Sequence, residues 1–113
     1  MNLEQIPSVI RKYITSSNKP DPETFVDCFS EDAVVFDEGK KRIGIHAIQK
    51  WSEQYHFAAN VTLEPTEAKE DGDEIVVTFK LDETYDKTGL FDPFMLNYHF
   101  IIVDDKIVNL SIL

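Results

Sequence analysis

One carboxylic acid and two phenols stand out as groups that could move protons: Asp37, Tyr13 and Tyr98. A carboxylate facing an apolar pocket has its charged form disfavoured, which makes it a usable base near neutral pH. Phenols aimed at a developing enolate supply preorganised donors without adding net charge. Proton abstraction beside a carbonyl needs only these two parts, provided that the chain brings them together. Each residue also has a plainer reading. Asp37 precedes Glu38-Gly39, where a solvated turn carboxylate is commonplace, and either tyrosine could be core with its hydroxyl satisfied. His46 and His56 have no acidic or cysteine partners at ligand spacing, so no metal site is expected, nor any cofactor.

The elements that must position these groups follow from apolar spacing. Asn2 with Gln5 resembles a capping box, and Leu3, Ile6, Val9, Ile10, Tyr13 and Ile14 then form one face of a helix running to about Ser16. Asp21-Pro22 reads as N-cap and first-turn proline of a short helix carrying Phe25, Val26 and Phe29 to about Ser30. A strand spans Ala33 to Asp37, with Ala33, Val35 and Asp37 on one side, and residues 38–41 read as a turn. Gly44 opens a third helix, on which Ile45, Ile48, Trp51 and Tyr55 share a face, ending between His56 and Asn60.

Beyond this point the period becomes two. Val61 to about Lys69 is a strand, Asp71-Gly72 is a hairpin signal, and Ile75, Val77, Phe79 and Leu81 line one side of the next strand. Residues 83–92, with Tyr85, Leu90 and Phe91, read as a loop and candidate lid. Two strands follow, Phe94 to Val103 and Lys106 to Leu113, joined at Asp104-Asp105. This order predicts an α+β domain, three N-terminal helices packed on a curved, mostly antiparallel sheet, with a hollow at their junction.

Phe94, Leu96, Tyr98, Phe100 and Ile102 share one strand face, continued on the last strand by Val108, Leu110 and Ile112, and these should meet the helices. The opposite face mixes apolar and polar groups, including His99, Ile107 and Asn109. A face of that mixture predicts a homodimer through the sheet, with a half-exposed sheet as the alternative.

Composition narrows the function. Eight Phe, four Tyr and one Trp supply a core, which excludes a disordered chain. Twenty-one acidic against eleven basic side chains give a net charge of −10, which repels phosphate backbones. The basic clusters Arg11-Lys12 and Lys40-Lys41-Arg42 are flanked by acids, so nucleic-acid binding is not expected. A single cysteine, Cys28, allows no internal disulfide and reads as a buried small hydrophobe. No membrane span or leader is expected, and a cytoplasmic location follows by default.

Three stretches resemble the nuclear transport factor 2-like superfamily, in its SnoaL-like polyketide cyclase and ketosteroid isomerase branch. They are Val9 to Ile14 leading to Asp21 and Phe29 to Val34, Gly44-Ile45-His46-Ala47-Ile48, and Leu96 to Phe100 with its following hairpin. The resemblance covers nearly the whole chain and implies a cone-shaped fold with an internal pocket. It implies Tyr13 as a pocket tyrosine and Asp37 as the base, and it places Tyr98 where ketosteroid isomerases carry a protonated aspartate. That last position departs from the pattern, since a phenol donates a hydrogen bond but is no carboxylic acid. The implied ligand is an apolar or aromatic, carbonyl-bearing small molecule, with Trp51, Tyr55, Phe79, Leu96 and Phe100 as pocket wall. The expected activity is a cofactor-independent isomerase, cyclase or dehydratase. The alternatives are a non-catalytic homodimeric binding or association module, and protein recruitment through the sheet face.

Overall fold

The structure, a computed structural model, describes residues 2–37, 39–57, 61–82 and 94–113. Asn2 and Gln5 do cap each other, the Asn2 N–H donating to Gln5 Oε1 and the Glu4 N–H to Asn2 Oδ1. The cap opens only a 3₁₀ turn, Leu3–Gln5, and not the long helix expected from the apolar spacing. Pro7 is the reason. The residue before a proline is driven out of the helical region, and Ile6 is accordingly extended, at φ −65° and ψ 145°. Helix α1 starts after the proline and runs Ser8–Asn18. Its last residue is clamped to the sheet, because the Asn18 amide both donates to Leu63 O and accepts from Leu63 N–H.

Helix α2 spans Pro22–Asp27, with the Asp21 carboxylate accepting from the Thr24 amide and hydroxyl. It stops short of the expected Ser30 because the sheet claims the chain first. The Ile107 N–H donates to Cys28 O, and Phe29 pairs with Ile107 at the head of β1 (Phe29–Asp37). The expected turn over residues 38–41 is only partly a turn. Gly39, at φ +74°, turns the chain back into β2 (Lys40–Ile43), an edge strand that its three cations disguise as loop. Gly44, at φ +87°, donates its N–H to Ala33 O and starts α3 (Ile45–Ser52). A π turn, Glu53–Phe57, continues it.

Strands β3 (Thr62–Asp71), β4 (Glu74–Asp82), β5 (Phe94–Val103) and β6 (Lys106–Ile112) follow. The six strands form one open, curved sheet in the order β2-β1-β6-β5-β4-β3, antiparallel except between β1 and β6. Both expected hairpins are present, with Gly72 at φ +61° and with Asp104 and Asp105 at φ 51° and 62°. The last strand corrects the expected phase. Ile102 pairs with Ile107 and Ile101 with Asn109, so a bulge absorbs Val108. Ile107, Leu110 and Ile112 are therefore the buried positions, and Val108 is only half-buried.

The helices cover one side of the sheet. Ile10 and Tyr13 of α1, Phe25 of α2, and Ile48 and Trp51 of α3 pack with Val35, Phe79, Tyr98, Phe100 and Leu110 in one core. Cys28 is fully buried there, as its composition-based reading required. No helix among the described residues is long and apolar enough to cross a membrane. The loop expected over residues 83–92, with Tyr85, Leu90 and Phe91, lies outside the described residues.

Candidate functional site

The inward stripe of α1 ends on Tyr13, which is 0% exposed. Its ring lies 4.6 Å from Phe25, 5.4 Å from Phe100 and 6.3 Å from Tyr98, the last two edge-on. Tyr98 in turn stands edge-on to Phe79 at 4.9 Å. Phe79 and Phe100 are fully buried and Leu96 partly so, and all three face the helices as their strand phase demands. The Tyr13 hydroxyl is buried and has no hydrogen-bond partner among the described residues. Burial pushes its pKa well above the ordinary phenol value, and the neighbouring Tyr98, Cys28 and Asp37 add to the effect.

Asp37 closes β1 in the phase of Ala33 and Val35, both fully buried, so its side chain points to the helix side. The strand ends there, which leaves the carboxylate half-buried. It accepts a hydrogen bond from Trp51 Nε1 at 3.0 Å. Trp51 itself is 3% exposed and is the chain's single tryptophan. Arg42, opposite Val35 on β2, donates from Nη1 to Asp37 O at 2.6 Å.

One polar residue of this region gave no signal in the sequence. In an α-helix the inward position after Trp51 would fall at Tyr55, the spacing on which Tyr55 was expected as pocket wall. A π turn advances more residues per turn and shifts the inward position along, and His56 is the buried residue, 3% exposed. The Tyr55 side chain lies outside the described residues. His56 stacks on Phe25 at 4.8 Å, and its Nε2 lies 2.6 Å from Ser17 Oγ, which also donates to Val61 O. Burial lowers the His56 pKa to about 4, so the ring is neutral at physiological pH.

The three sequence-derived groups thus occupy one region. Tyr13 and Tyr98 are ring neighbours, and the Asp37 charge acts on the Tyr13 hydroxyl while its carboxylate is held by Trp51. His99 is elsewhere, on the outer sheet face, 3.2 Å from Glu74. Among the described residues no group of three or more His, Cys, Asp or Glu gathers in a way that could hold a metal ion. A carboxylate, phenols and a neutral imidazole within an aromatic shell can accept, donate and relay a proton at an oily ligand.

Residues 10–110 match the SnoaL-like domain family. No curated protein matches the sequence. Among solved structures the chain is similar to protein SMa1630 from Sinorhizobium meliloti, a candidate polyketide cyclase. The two are 30% identical, with a TM-score of 0.86 over 100% of both chains. In fold alone it is similar to a candidate ketosteroid isomerase from Kribbella flavida DSM 17836, at 18% identity and TM-score 0.73 over 96% of this chain and 76% of that one. It is likewise similar to RV0760c from Mycobacterium tuberculosis in complex with estradiol-17beta-hemisuccinate, at 15% identity and TM-score 0.75 over 93% and 89% of the two chains.

Proposed function

The chain belongs to the SnoaL-like domain family, and on that premise we propose that it binds an apolar or aromatic, carbonyl-bearing small molecule between its helices and its sheet. Asp37 takes the proton beside the carbonyl. The negative charge moves to the carbonyl oxygen, which accepts hydrogen bonds from the Tyr13 and Tyr98 hydroxyls, and Asp37 returns the proton at the new position. Trp51, Phe79, Leu96 and Phe100 form the wall. Returning the proton completes an isomerisation. The same enolate serves a cyclase by attacking a second carbonyl of the ligand, whose oxygen takes the proton. It serves a dehydratase by expelling a neighbouring hydroxyl, which leaves with that proton as water, and none of the three needs a cofactor.

The observation that carries this reading is the Tyr13 hydroxyl, buried beside Tyr98 with no partner among the described residues and within reach of the Asp37 charge. An unsatisfied buried hydroxyl costs about 1–3 kcal/mol, and a ligand oxygen would relieve that cost. The similar structures agree in kind, since they include a candidate cyclase, a candidate isomerase and a steroid-ester complex. Native mass spectrometry of the purified protein is expected to reveal a retained small molecule. With a substrate identified, Asp37→Asn should lower turnover by about 10²-fold or more while leaving the fold intact. Unchanged turnover in that variant would defeat the catalytic role.

A second reading concerns assembly. The outer face of the sheet carries Met95, 40% exposed, and a recess of about 220 Å³ lined by Glu67, Lys69, Val76, Thr78, Asn97 and His99. We propose that this face pairs with a second copy, with or without catalysis on the other side. Sedimentation showing only monomer at micromolar concentration would overturn it. The single buried thiol suits a reducing compartment, the cytoplasm.

A further inference from the structure

Helix α1 turns Tyr13 and Ser17, side chains one turn apart on the same face, into the core, and both are buried. Tyr13 lies against Phe25 at 4.6 Å, and Phe25 lies against His56 at 4.8 Å. The circuit closes where His56 Nε2 meets Ser17 Oγ at 2.6 Å. Its two ends are tied down further. Ser17 Oγ donates to Val61 O, the Val61 N–H donates to His56 O, and the Asn18 amide is seated on Leu63. Packing alone does not ask for this arrangement. A regular helix would present position 55 inward, where a hydrocarbon would need no partner. The chain instead takes a π turn, a rare form found frequently at functional sites, and buries an imidazole that has to be paired.

We propose that His56 is a positioning residue for Tyr13: fastened to Ser17, it presses Phe25 against the Tyr13 ring and so holds the hydroxyl where a ligand oxygen meets it. The proposal rests on the reading of the aromatic region as a ligand site. A buried hydroxyl with no partner among the described residues gains by tilting toward any acceptor, and a core ring tilts only when its neighbours give way. The latch removes that freedom, so the donor is kept for the ligand. Precision matters here, because a donor held out of place loses much of its effect on a developing charge. An imidazole meets both demands. Its plane lies within 29° of the Phe25 ring while a ring nitrogen reaches the serine, and burial keeps it uncharged at working pH.

A double-mutant cycle on the full chain tests this, with 5-nitrobenzisoxazole as an apolar aromatic probe. Ring opening of the probe needs a base to take one proton from carbon. That C–H electron pair forms a nitrile, the N–O bond breaks, and the charge settles on a phenolate oxygen, to which Tyr13 would donate. Tyr13→Phe is expected to lower kcat about tenfold, as the loss of one hydrogen bond to that oxygen allows. His56→Gln removes the ring but keeps a group that can bond Ser17, and it should lower kcat about fivefold with KM within about twofold. Ser17→Ala breaks the latch from its other half and should act alike, so a variant that fails to fold leaves its counterpart to decide. In the Tyr13→Phe background either change should cost less than about twofold, because the group they position is gone. His99→Ala, on the outer face, should leave kcat within about twofold. Equal losses in both backgrounds, or no loss in either latch variant, overturn the positioning role and leave the ligand site standing. An unaltered protein that opens the probe no faster than free acetate removes the site and the positioning role together.

Discussion

Along β5, Tyr98 and Phe100 press against the helices, while Asn97, His99 and Ile101 look the other way. Polar groups on the outer face find partners close by, Thr78 Oγ1 donating to Asn97 Oδ1 and His99 meeting Glu74. On the inner face the polar atoms are set into an oily surround, and one of them, the Tyr13 hydroxyl, has no partner among the described residues. Where water is near, imperfect pairing costs little, whereas in the interior it costs the full desolvation of the group. Polar residues on the inner face therefore call for an explanation beyond folding, and those outside do not.

Neighbouring substitutions test that contrast most severely. Phe100→Ala removes a fully buried ring beside Tyr13 and is expected to cost about 3–5 kcal/mol in urea unfolding. The next largest effect is on pH. An unfolded chain protonates His56 below about pH 6.5, whereas the folded chain resists until about pH 4. Stability is therefore whole above the unfolded value and declines as pH falls from 6.5 toward 4, by up to about 3 kcal/mol relative to a His56→Gln variant. Parallel stability-pH curves for the two proteins would mean that the ring is not buried as described.

Tyr13→Phe should act with the opposite sign. Deleting a buried hydroxyl that has no partner among the described residues is expected to raise the unliganded protein's stability by about 1 kcal/mol while weakening ligand binding. A clear loss of stability would show that the hydroxyl is already satisfied and would remove the main support for a ligand there. The smallest effect belongs to the outer face. His99→Ala should change stability by about 0.5 kcal/mol or less, since its pair with Glu74 is partly exposed. Comparable losses at positions 99 and 100 would erase the distinction between the faces.

Much of this was legible in residue order. The alternation from Leu96 to Ile102 placed Tyr98 and Phe100 inward, the strand phase placed Asp37 with Ala33 and Val35, and Asp71-Gly72 and Asp104-Asp105 marked their turns. Other features left no local trace. Strand β2 reads as loop because edge strands are kept polar, and the parallel pairing of β1 with β6 joins residues some 75 positions apart, beyond any local pattern. The bulge at Val108 costs one residue of phase, and the π turn moves the inward position to His56. Both depend on what packs against the strand or helix and not on the composition of either.

The sheet is open, and its two outermost strands differ in sign. β2 offers Lys40, Lys41 and Arg42, while β3 offers Glu64, Glu67, Glu70 and Asp71 against Lys69. Stacked edge to edge, copies of this molecule would attract head to tail, the geometry that grows into unending filaments. The register break beside Pro65 and the Asn18 amide seated on the Leu63 backbone interrupt the ladder such growth would need.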